Sequence, residues 1–67
     1  MIVSQGTYKD QMRWWIRLDD NRYYVGWQYT INHCVFQGNR WAVSKTAAHD
    51  LILRLQEQFD VDFETFI

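Results

Sequence analysis

The sequence predicts an α+β domain: an antiparallel meander of three to four strands with one C-terminal helix packed on one face. Three observations predict it. In residues 44–59, Ala48, Leu51, Ile52, Leu55 and Phe59 recur at helical spacing and fall on one face. The stretch before it is dense in Trp, Tyr and β-branched residues, which favour a pleated, half-buried surface. Asp20-Asn21 and Gly38-Asn39 interrupt that stretch with residues that tolerate the left-handed backbone region a tight turn needs.

The elements follow in order. Residues 1–11 begin with Ile2-Val3 and then turn polar around Gly6, which suits an N-terminal arm or edge strand. Met12 to Leu18 and Tyr23 to Thr30 flank a turn at Asp20-Asn21. A two-residue loop there sets Leu18 opposite Tyr23, Ile16 opposite Val25 and Trp14 opposite Trp27, an apolar face. The other face then pairs Arg17 with Tyr24, Trp15 with Gly26 and Arg13 with Gln28. A slip of one residue would mix the two sets, so the register is strongly specified. Gly38-Asn39 predicts a second hairpin between His33–Gln37 and Arg40–Val43, with Phe36 opposite Trp41 and Cys34 opposite Val43. Thr30 to His33 would link the hairpins through a bulge or a bent strand, Ile31-Asn32 being poor turn chemistry. The helix starts at Ser44, a residue suited to capping. In residues 60–67, Val61, Phe63, Thr65 and Ile67 alternate with Asp62, Glu64 and Phe66, which reads as a final strand or an acidic-apolar tail. The expected core is Trp14, Ile16, Val25, Trp27, Cys34, Phe36, Trp41, Val43, Leu51, Ile52 and Leu55.

Sixty-seven residues predict one domain, 1–67. A chain this short buries only about 60 % of its unfolded surface. Four Trp, four Tyr and four Phe answer that need and exceed it, so some rings should face solvent. The single Cys34 excludes an internal disulfide. With no signal-peptide pattern at the start, the expected setting is reducing and cytoplasmic, the host cytoplasm if phage-encoded. No apolar run approaches the ~18 residues that would suggest a membrane span, so no membrane partner is expected. Charge is split: residues 1–45 carry +3 and residues 46–67 carry −4, within a net −1.

No constellation points to catalysis, and the chain is expected not to be an enzyme. Asp19 and Asp20 are adjacent, point to opposite sides of a strand end, and are explained by the turn. His33, Cys34, His49 and Asp50 lack the paired close spacings of a zinc site, and no orienting third group accompanies them as nucleophiles. No phosphate-cradling glycine loop is present. Neither metal nor cofactor is expected.

Two surfaces stand out. Arg13, Trp15, Arg17, Tyr24 and Gln28 share the face of the first hairpin turned away from the helix. In the simplest account, Arg stems shield an exposed Trp on an open sheet. Otherwise the composition suits a protein partner, because Trp, Tyr and Arg dominate interface hot spots. Nucleic acid is the alternative, with bases on Trp15 and Tyr24 and phosphates on Arg13 and Arg17, although a net charge of −1 counts against it. The second surface is acidic: Asp50, Glu57, Asp60, Asp62 and Glu64 read first as a solvated helix face and soluble tail, and otherwise Asp60, Asp62 and Glu64 face a basic partner groove, with Phe63, Phe66 and Ile67 as anchors. The expectation is a small non-catalytic binding protein, of the kind phages use to occlude a host partner's site. A homodimer or homo-oligomeric structural protein is a further alternative.

Overall fold

Three tight turns lay out the sheet. In the computed structural model, which describes residues 1–66, Lys9-Asp10, Asp20-Asn21 and Asn32-His33 all carry positive φ, between 50° and 69°. Consecutive left-handed residues twist a turn to match the flanking strands, which is why short hairpins use them. Asp, Asn and His enter that region more readily than most residues. The strands between are β1 (Ile2–Tyr8), β2 (Met12–Asp19), β3 (Arg22–Ile31) and β4 (Cys34–Ala42), in the order β1-β2-β3-β4. Every neighbouring pair is antiparallel. A single helix, α1 (Lys45–Phe66), follows. The α+β meander with one C-terminal helix is therefore the fold.

The β2–β3 register is the one expected from the two-faced alternation, with Trp14 against Trp27, Ile16 against Val25 and Trp15 against Gly26. The second hairpin differs. Its turn is Asn32-His33, and Gly38-Asn39 lie in the middle of β4 opposite Trp27 and Gly26. Gly38 serves packing: a Cβ there would stand 2.7 Å from the Trp27 ring. Gly6 lies under Trp14 and Gly26 under Trp15 in the same way. All three glycines of the chain thus make room for a tryptophan on the adjacent strand, an established way to protect a strand glycine.

The corrected turn reverses the expectation for β4. Tyr24 now faces Trp41 and Ile31 faces Cys34. Trp41 lies on the sheet face away from the helix, 57 % exposed, and Cys34 is exposed. Val43, in the link to the helix, is 96 % exposed. None of the three belongs to the core.

α1 begins where its cap predicts, with the Ala47 N–H donating to Ser44 Oγ at 3.1 Å. It runs mainly over β3 and continues to Phe66, so residues 60–66 are neither a strand nor a tail. Ile67, one of the expected anchors, lies outside the described residues. The interior consists of two groups. Ile16, Val25, Ala48 and Ile52 pack under the first half of the helix. Met12, Tyr29, Ile31 and Phe59 pack under the second. Trp14, Trp27 and Leu55 touch both and join them. Trp14 and Trp27 are half-buried because each leans outward over the glycine of an edge strand.

No helix among the described residues is long and apolar enough to cross a membrane.

Candidate binding surface

The sheet has one face under α1 and one face open. Because β2 and β3 pair without a slip, the open face receives Arg13, Trp15 and Arg17 from β2 beside Tyr24, Gly26 and Gln28 from β3. The five residues singled out from the sequence therefore share one surface. β4 adds Gln37, Asn39 and Trp41, and β1 adds Gln5 and Thr7.

Trp15 is the centre. Its indole rests directly on Gly26, where a Cβ would come within 2.3 Å of the ring. Open depressions border it on several sides, one reaching Arg13, Gln5 and Ile2, another reaching Arg17, Tyr24 and Asn39. Beside it, Tyr24 and Trp41 stack with centroids 5.9 Å apart and planes 25° from parallel. The Arg22 guanidinium lies 4.3 Å from the Trp41 ring centroid, a cation–π arrangement. Arg17 Nη2 is 3.1 Å from Asp19 Oδ2, while the Met1 amine sits 3.0 Å from Asp19 Oδ1. Those contacts, led by the hydrogen bond from the amine, hold the Asp19 carboxyl below its ordinary pKa. Among the described residues this face thus carries Arg13, Arg17 and Arg22 against Asp19, an excess of positive charge. Sequence reasoning missed Trp41 and Arg22. Once the turn is set at Asn32-His33, strand parity places Trp41 beside Tyr24, so the missing signal was turn position.

The acidic residues lie elsewhere and are differently engaged. Asp60 accepts from Tyr8 Oη at 2.9 Å and from Lys9 Nζ at 2.8 Å. The Lys9 bond first, then the Tyr8 bond, lowers the Asp60 pKa, and Asp60 in turn raises that of Lys9. Asp62 accepts from Tyr29 Oη at 2.5 Å and from Gln58 Nε2 at 2.9 Å. Burial and that bond together push the Tyr29 hydroxyl well above its ordinary pKa. Two of the three carboxylates thus tie the helix to the sheet, whereas Glu64, Phe63 and Phe66 are exposed.

His33 and Cys34 sit at the β3–β4 turn, and His49 and Asp50 lie near the start of α1. His49 packs edge-on to Trp14, with centroids 6.3 Å apart. Among the described residues, no group of three or more His, Cys, Asp or Glu side chains is placed to hold a metal ion.

Comparison of the chain with protein-family models, with curated proteins and with solved structures returned no match.

Proposed function

We propose that this chain is a non-catalytic binding module that docks a protein partner on the open face of its sheet, centred on Trp15, and acts by covering the partner's own functional surface. One observation carries the reading: three aromatic rings and three arginines gather on a face the helix leaves free, where Asp19 is the one carboxylate among the described residues. Trp, Tyr and Arg are the residues whose truncation most often costs an interface its affinity. Trp15 and Tyr24 are half-buried by their own sheet, so little side-chain freedom remains to be lost on docking. The net −4 of residues 46–67 against the +3 of residues 1–45 would orient the approach of a partner with a complementary charge pattern.

The test is affinity capture from lysate of the expressing cell, comparing the wild type with the Trp15→Ala/Arg17→Ala double variant. A protein retained by the wild type and lost by the variant is the expected result. Truncating Trp15 alone should weaken that complex by about 30-fold or more, the size of a hot spot of roughly 2 kcal/mol. Equal retention by both proteins would remove the site assignment.

A second reading has its own observation. A flat indole on Gly26, flanked by Arg13 and Arg17, is also a platform on which a nucleic-acid base could stack. Titration with single- and double-stranded oligonucleotides, followed by Trp fluorescence, separates the two. Quenching that weakens steeply with added salt favours nucleic acid, and an unchanged signal at low salt eliminates it.

A further inference from the structure

We propose that two copies of this chain pair through the outer edges of their β4 strands, giving one continuous eight-stranded sheet. The inference is independent of what the open face binds.

The two edges of the sheet are built differently. β1 is irregular, its register with β2 breaking between Ile2 and Ser4, and such breaks discourage a further strand. β4 has no such break: nine consecutive residues, Cys34–Ala42, match β3 one for one. It has no proline or lysine, and its one charged residue is Arg40.

The strand's backbone polarity fixes how a second copy fits. A two-residue loop such as Asn32-His33 closes on a hydrogen-bonded pair, here Ile31 with Cys34. Alternation then turns the N–H and C=O groups of Val35, Gln37, Asn39 and Trp41 outward. Antiparallel pairing of the whole strand with itself places the two-fold axis at Gly38. Val35 then meets Trp41 of the second copy, Gln37 meets Asn39, and all four outward residues find partners, closing about eight backbone hydrogen bonds.

The side chains agree with that register. Val35 is 58 % exposed and Trp41 57 %, and they lie three residues either side of Gly38, so the axis brings each against the other. Gln37 and Asn39 set amide against amide. On the helix side, Arg40 falls opposite Phe36, whose ring already packs against Phe66. Both open faces end up on the same side of the enlarged sheet, which doubles the cationic-aromatic surface.

The register yields a covalent test. Cys34 lies opposite Ala42 of the second copy in a non-hydrogen-bonded pair, with Cα atoms about 4.5 Å apart, within reach of a disulfide. Within one chain the same positions are about 27 Å apart along the strand, so they cannot bridge. The full chain carrying Ala42→Cys is treated with diamide, which takes up the two electrons and two protons that each disulfide releases. The expected result is a dimer on a non-reducing gel, formed on the order of tenfold faster or more than from wild type or from Ala42→Cys/Cys34→Ser. Sedimentation of the reduced wild type at micromolar concentration should show a dimer. Gln37→Pro, which removes an outward N–H at an edge position that tolerates proline, should give a folded monomer by circular dichroism and sedimentation. A wild type monomeric throughout, a folded Gln37→Pro that still dimerises, or crosslinking no faster than in the single-cysteine controls would each overturn the proposal.

Discussion

The interior under the first half of α1 and the interior under the second half are held by different means. The first is small and aliphatic, with Ile16, Val25, Ala48 and Ile52 beneath a helix start capped by Ser44. The second is aromatic. Phe59 meets Tyr8 and Tyr29 edge-on at 5.8 and 5.0 Å, and Tyr29 stacks on Phe36 at 5.1 Å. Its two tyrosine hydroxyls end on Asp60 and Asp62. Acidic residues near a helix C-terminus oppose the macrodipole, and the last turn of α1 has no basic residue to offset them. The second half of the helix therefore owes its form to the sheet beneath it, whereas the first half has a start signal of its own.

The difference can be broken at several points. Phe59→Ala removes the ring at the centre of the aromatic half, and a buried Phe of this kind is worth about 3–5 kcal/mol. Urea unfolding should show that loss, and hydrogen exchange should show protection falling first in residues 56–66. Uniform loss along α1 would mean that the two halves are one cooperative unit. Tyr29→Phe keeps the packing but deletes the bond to Asp62. A part-buried hydrogen bond to a charged acceptor predicts a cost of about 1.5 kcal/mol by denaturant titration.

Ser44→Ala strikes the other half and should cost about 1 kcal/mol, with exchange accelerated near residues 45–48. The smallest effect belongs to Asp60. Its folded pKa is depressed, so its contribution is present above the unfolded value near 4 and is lost as pH falls through the lower folded value. Tyr29 has the opposite sign: its raised pKa gives a contribution that is full below about pH 10 and fades above it. Acid titration of Asp60→Asn should lack the Asp60 share of the decline, and a profile identical to wild type would show that the Lys9–Asp60–Tyr8 contact adds nothing to stability.

The same contrast explains what could be read in advance. The β2–β3 hairpin was legible because Asp20-Asn21 and two strictly alternating faces point to one register. From it follows the shared face of Arg13, Trp15, Arg17, Tyr24 and Gln28. The β3–β4 turn was not, because Gly38-Asn39 has stronger turn chemistry than Asn32-His33 and nothing local reveals that Gly38 is needed under Trp27. That single shift took Trp41 off the open face, and with it the ring that Arg22 covers, and assigned Cys34 to the core. The helix was legible to Phe59, where an apolar stripe carries the signal. Beyond it the signal depends on tyrosines more than 30 residues away in sequence, and Val61, Phe63 and Thr65 happen to alternate like a strand.

The sheet order has a kinetic consequence. Each strand hydrogen-bonds to its immediate neighbour in sequence, through connections of two or three residues, so no pairing waits for a long loop to close. Hairpins of this kind form in about 1–10 μs, and domains dominated by such local pairings fold quickly for their size. The helix, last in the chain, can dock only on a surface that β2 and β3 have already assembled. Refolding should accordingly be fast and single-phased, with Ile16 and Val25 in contact before Phe59 reaches Tyr29.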